Sequence, residues 1–130
     1  MFIDDNRYEM APLVDRLRFA GYEVAFFRRP ADASWWLDQG NRPDVLICDL
    51  MMLTEPDQTA EQARYAGVTF CKERSRLLKE IECPILVLTG VLDRAVREEA
   101  SKIALTVLEK PVTPLFLVDE VRRVLSSRSK

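Results

Sequence analysis

Four short apolar runs in this chain each end in a polar group able to handle phosphate or a metal ion, and this pattern constrains the fold most tightly. Val45-Leu46-Ile47-Cys48 ends in Asp49, and Met1-Phe2-Ile3 ends in the acid pair Asp4 and Asp5. Ile85-Leu86-Val87-Leu88 ends in Thr89, and Leu105-Thr106-Val107-Leu108-Glu109 ends in Lys110. Continuous apolar runs of this length read as strands covered on both faces, as in a parallel sheet. All strand C-termini of such a sheet lie on one edge, so the five polar residues are expected to meet in one crevice.

The segments between the runs carry helical periodicity. Met10, Leu13, Val14 and Leu17 predict an amphipathic helix over about 7–20, capped by Asp5 or Asn6 and stopped by Gly21. Tyr22-Glu23-Val24-Ala25-Phe26 reads as a strand, and Ala33, Trp36, Leu37 and Gly40 as a short second helix with one of the adjacent Trp35 and Trp36 at its rim. A third strand is expected over 45–49 and a third helix over about 61–80, with Val68, Cys71, Leu78 and Ile81 facing inward. A fourth strand (85–89) and a charged helix (92–103) precede a fifth strand (105–109). The last helix spans about 113–126, with Thr113 as cap and Leu117, Val118, Val121, Val124 and Leu125 as its core stripe. The expected class is α/β: five βα units with right-handed crossovers, forming a doubly wound, five-stranded parallel sheet with helices on both faces.

With 130 residues, 48% of them hydrophobic, the chain is expected to be a single domain over 1–130 with a core of its own. A net charge of -2 leaves no basic excess for nucleic acid. Cys48, Cys71 and Cys83 lack paired-motif spacing and read as reduced, buried thiols, which fits a cytoplasmic protein. No leader or membrane span is evident. The chain has no histidine. That excludes a Ser/His/Asp triad, a histidine-ligated zinc and an internal phosphohistidine.

Each polar strand end has an ordinary explanation when taken alone. Asp4 and Asp5 could cap a helix, Asp49 could open a loop, Thr89 could bond backbone, and Lys110 could be solvated. Their convergence changes the reading. Three carboxylates brought together repel unless a cation neutralises them, and an all-oxygen set suits Mg²⁺. Lys110 and Thr89 then supply the charge and the donor that a phosphoryl group needs.

In these residues the chain resembles a response-regulator receiver domain of the chemotaxis-regulator type, from Phe2 to about Leu125. The motifs that carry the likeness are Phe2-Ile3-Asp4-Asp5-Asn6, the strand ending in Asp49, Leu88-Thr89-Gly90, and Lys110-Pro111. The resemblance implies a flavodoxin-like strand order 2-1-3-4-5. It implies Asp49 as phosphoacceptor, and Mg²⁺ held by Asp4, Asp5, Asp49 and the Met51 backbone carbonyl. Thr89 would hydrogen-bond the phosphoryl oxygen, Lys110 would pair with it, and the Lys110–Pro111 peptide would be cis. The donor would be a sensor histidine kinase, a histidine phosphotransfer protein or a small acyl phosphate. The domain would act as a regulator through altered protein contacts rather than as an enzyme on other substrates, without nucleic acid or membrane. About five residues follow the last predicted helix, so a stand-alone receiver without an output domain is expected.

Three features depart from the family pattern. The first strand is short. Val107 stands where an aromatic residue is usual, and Leu53 where a proline is. Residues 54–61, Thr54-Glu55-Pro56-Asp57-Gln58-Thr59-Ala60-Glu61, form an insertion of roughly ten residues beside the site, and ordered loops of that kind are often functional. One alternative is a degenerate receiver that binds partners without phosphorylation. Another is an aspartate-nucleophile phosphatase, which needs an acid two residues after the nucleophile; Met51 occupies that position. Leu115 and Phe116 fall away from the core stripe of the last helix. With Asp93, Arg94, Arg97 and Glu98 they mark a possible homodimer or partner surface on the face of the fourth helix, fifth strand and fifth helix.

Overall fold

The computed structural model describes residues 1–53, 55–90 and 93–128. Five parallel strands alternate with helices in the order β1 (Phe2–Ile3), α1 (Arg7–Phe19), β2 (Phe26–Phe27), α2 (Pro30–Asp38), β3 (Leu46–Cys48), α3 (Ala60–Arg64), α4 (Ala66–Glu73), α5 (Ser75–Glu80), β4 (Ile85–Thr89), α6 (Arg94–Ser101), β5 (Thr106–Glu109) and α7 (Pro114–Arg128). The sheet order is β2-β1-β3-β4-β5, as the family resemblance implies.

The sheet separates two cores because successive strand side chains alternate between its faces. Phe2, Ile47, Leu86 and Leu88 meet Met10, Leu13, Val14 and Leu17 of α1 and Leu117, Val118, Val121 and Val124 of α7. Ile3, Leu46, Cys48 and Val87 meet Ala33 and Leu37 of α2, Val68 and Cys71 of α4, Leu78 of α5, and Val96 and Ala100 of α6. All three cysteines are free and buried. Asn6, one of the two expected caps, closes α1 by accepting from the Glu9 N–H at 2.9 Å, and Gly21 follows the helix at φ +100°. Thr113 Oγ1 accepts from the Phe116 N–H at the start of α7. Trp35 is exposed while Trp36 packs against the core.

Two elements differ from the sequence reading. The second strand forms at Phe26–Phe27 rather than 22–26, because β1 begins at Phe2 and its register pairs Phe2 with Phe26 and Ile3 with Phe27. Of residues 22–25 only Ala25 meets β1, its carbonyl accepting from the Phe2 N–H at 2.9 Å. The third helix is three helices, broken at Tyr65 (φ -105°, ψ 12°) and Arg74 (φ -104°, ψ 7°). Neither break is a glycine or proline, so the cause is tertiary. The Gly67 N–H donates to the Leu50 carbonyl at 2.8 Å, and the Arg74 guanidinium reaches Asp38 and Ser34 of α2. Further ion pairs tie Lys72 of α4 to Glu99 of α6, and Arg64 of α3 to Asp93, the N-cap of α6.

Candidate phosphoacceptor and metal site

The residues at the strand tips assemble at one edge of the sheet. Asp4 follows β1 and is fully buried, and Asp49 follows β3 at 7% exposure. Asp5 is half-buried at the rim. One carboxylate oxygen of each lies within 4.8 Å of the other two. Lys110, just after β5, extends its ammonium between two of them, 2.8 Å from Asp4 Oδ2 and 3.2 Å from Asp49 Oδ2. Thr89 ends β4 fully buried, and its carbonyl accepts from the Lys110 N–H at 2.8 Å, which fixes the two strand ends side by side. The Lys110–Pro111 peptide is cis. Met51 lies two residues beyond Asp49 with its side chain exposed.

Backbone donors hold the remaining carboxylate oxygens. Asp4 Oδ1 accepts from the Asn6 N–H at 2.9 Å, and Asp49 Oδ1 from the Leu50 N–H at 2.7 Å. Asp5 Oδ2 accepts from the Leu53 N–H at 3.0 Å, so the chain leaving Asp49 is fastened over the acid pair. This loop is tied further. Gln58 Nε2 donates to the Met52 carbonyl, Glu55 pairs with Arg29, and Thr59 with Gln62 forms a capping box that starts α3. Within the insertion, Glu55 and Gln58 are thus tied to Arg29 and to Met52 of the chain leaving Asp49; Thr54 lies outside the described residues.

Electrostatically the site carries excess negative charge: three carboxylates against one ammonium leave two charges uncompensated. Burial lifts the Asp4 carboxyl above its usual 3.8, opposed by hydrogen bonds from Lys110 and the Asn6 N–H. Burial also lifts Asp49, with the Lys110 charge opposing and the Asp4 charge reinforcing the rise. Burial alone would lower Lys110, but the Asp4 hydrogen bond and the charges of both acids outweigh it and hold the ammonium above 10.5. The Lys110 ammonium lowers both carboxyls without overcoming their burial, while both carboxylates raise the ammonium. A hard divalent cation fits this donor set: its ligands are all oxygens and its charge equals the deficit.

Two features of the site lay outside the sequence reading. The Leu53 N–H on Asp5 is a backbone contact with no side-chain signature. Gly67 is the other: a Cβ there would collide with the Asp49 carbonyl oxygen and lie 2.8 Å from Leu50 Cα. A lone glycine inside a helical pattern was the available signal for so close a backbone approach.

A parallel sheet in this order with three acids on two adjacent strand tips defines a signalling-receiver type of α/β domain. The sequence matches no protein-family model and no curated protein. Among solved structures, it is similar to a candidate response regulator from Chloroflexus aurantiacus at 32% identity and TM-score 0.74, over 96% of this chain and 94% of that one. The fold also matches a CheY-like response regulator receiver domain from Methanospirillum hungatei (17% identity, TM-score 0.81, 98% and 93% covered). A third match is the receiver domain of a signal transduction histidine kinase from Syntrophus aciditrophicus (24%, 0.76, 97% and 88%). The chain belongs to the response-regulator receiver family.

Proposed function

We propose that this receiver takes a phosphoryl group on Asp49 from a phosphohistidine of a sensor kinase or phosphotransfer protein, or from a small acyl phosphate. The observation that carries this reading is the Lys110 ammonium, held at 2.8 Å and 3.2 Å between Asp4 and Asp49 at the mouth of the sheet edge. An Asp49 carboxylate oxygen attacks phosphorus, the bond from phosphorus to the donor's nitrogen or oxygen breaks, and an acyl phosphate remains on Asp49. Lys110 offsets charge on the transferring oxygens, and the Thr89 hydroxyl donates to one of them. The Leu50 N–H holds the carboxylate's other oxygen in place. Asp4, Asp5, Asp49 and the Met51 carbonyl would hold Mg²⁺, which when bound neutralises the remaining negative charge. The output is a change in protein contacts, with a homodimer or partner bound on the face of α6, β5 and α7.

The test is incubation with acetyl phosphate and Mg²⁺, read by intact-protein mass spectrometry. The expected result is a single phosphoryl adduct on the parent chain and none on Asp49→Asn, which keeps the shape of the side chain but lacks the nucleophile. A full adduct on the variant would move the acceptor elsewhere. No Mg²⁺-dependent response to acetyl phosphate or beryllofluoride in the parent would favour the phosphorylation-independent module, a reading to which the Leu53 contact on Asp5 and the half-buried Val107 lend support.

A further inference from the structure

The chain leaving Asp49 is fastened to the helices that follow it. The Met52 N–H donates to the Ala63 carbonyl near the end of α3 at 3.0 Å, and the Gly67 N–H at the start of α4 donates to the Leu50 carbonyl at 2.8 Å. Arg64, the last residue of α3, reaches from there toward α6. Its guanidinium lies 3.1 Å from Asp93 Oδ2 and 3.2 Å from Glu61 Oε2, and 5.3 Å from the centre of the Tyr65 ring. Asp93 stands four residues after Thr89 and divides its carboxylate. Oδ2 takes Arg64, while Oδ1 accepts from the Val96 N–H at 3.2 Å and so caps α6. A second ion pair, Lys72 to Glu99 at 3.0 Å, ties α4 to the same helix. Arg64 also keeps a buried Nε that donates to nothing among the described residues. An unmet buried donor costs stability, so the acid partners hold this guanidinium where water would satisfy it better.

We propose that Arg64 is a positioning residue: through Asp93 it couples the loop after the phosphoacceptor to α6, and α3, which begins inside the insertion, supplies that link. The inference rests on the phosphoacceptor reading of Asp49. An acyl phosphate there adds bulk and charge at the head of a segment whose next residues, Leu50 and Met52, hang on α4 and α3. A shift of that segment moves Ala63 and Gly67 with it, and Arg64 lies between them in sequence. From Arg64 the shift reaches the cap of α6 through a charge-assisted contact. Val107 of β5, half-buried, packs against the same core as Val96 and Ala100 of α6. Its β-branched side chain is stiff about χ1 and has no ring to swing, so it offers α6 no second arrangement. The Arg64 pair offers two. Arg64 sits on Asp93, or it is released to water, which satisfies Nε and leaves Asp93 only its cap. Both side chains are partly exposed, so the pair adds little to the stability of the fold and can be removed without unfolding it.

The test uses Arg64→Met, which keeps the stem and the helix propensity, and Asp93→Ser, which keeps a capping oxygen and drops the charge. Each ¹⁵N-labelled full chain is treated with Mg²⁺ and beryllofluoride. The Val96 and Ala100 amide shifts are read by NMR beside the yield of the acetyl phosphate adduct. In the parent both amides shift. In each variant the adduct forms as in the parent, while the α6 shift falls at least about twofold, the low end of what removing one coupling residue does. The double variant loses no more than either single one, because the two side chains act as one contact. Arg64→Lys, which keeps the charge, recovers the response. Full α6 shifts in both single variants would make Arg64–Asp93 an ordinary surface pair and overturn the proposal, with the phosphoacceptor reading intact. A parent that is modified on Asp49 while α6 stays still overturns it as well. A parent that takes neither adduct nor beryllofluoride removes the phosphoacceptor reading first, and the coupling with it.

Discussion

At the scale of single residues, the site depends on how closely backbone is brought to Asp49. Gly67 lies against the Asp49–Leu50 peptide, and its N–H binds the Leu50 carbonyl. Gly67→Ala therefore forces α4 away from β3. Overpacking of this kind costs about 1–3 kcal/mol, and the displaced Leu50 N–H loosens its hold on Asp49 Oδ1. Urea unfolding should show the loss of stability, and phosphorylation by acetyl phosphate should slow in parallel. Normal stability and rate would mean that the helix shifts without disturbing the acceptor. The five side chains of the site were legible in the sequence because each sits where an apolar run stops. Gly67 and the Leu53 N–H were not, since their roles exist only once two distant backbones touch.

At the scale of elements, the long helix read from periodicity is three, and periodicity has no means of registering a break held from outside by Arg74 and by the Gly67 contact. The loop between β3 and α3 carries the prediction about lifetime. Met51, two residues after Asp49, is exposed and apolar, so it cannot orient a water toward an acyl phosphate. Its counterpart Val91, two after Thr89, lies outside the described residues. Met51→Asn should speed loss of the phosphoryl group a few-fold, measured as decay of the adduct by mass spectrometry. An unchanged decay would give control of water access to the insertion. The exposed Leu115 and Phe116 at the start of α7 bear on the output. Phe116→Asp should weaken self-association or partner binding, measured by light scattering, without reducing the Asp49 adduct. Should association persist in both phosphorylation states, the contact surface lies elsewhere, with the insertion the next place to look.

At the scale of the whole molecule, the α/β class was legible because apolar runs in alternation with helices leave few topologies, while the strand order came from the resemblance to the receiver family. The extent of β2 was not, since a strand is made by its neighbour and β1 offers only two residues. The raised carboxyls of Asp4 and Asp49 set the pH response of the metal-free fold. A group whose folded pKa is raised stabilises the fold below its unfolded value, near 3.8 here, and loses that contribution as pH rises through the folded value. Both acids are therefore a burden at neutral pH that a cation relieves, while Lys110 keeps its contribution until the pH passes its own raised value above 10.5. Adding Mg²⁺ should raise the Tm more near pH 7.5 than near pH 4, where the raised Asp4 and Asp49 carboxyls hold more of their protons in competition with the cation. Equal shifts at both pH values would place the ion elsewhere. Finally, the ion pair between Lys110 and Asp4 joins residues 106 positions apart, and nearly every other element of the chain is threaded between them. No fragment short of the complete sheet can assemble that pair. Any readout of the site, whether cation uptake or phosphoryl adduct, thus doubles as a head-count of intact molecules, and nascent or proteolysed chains stay silent in it.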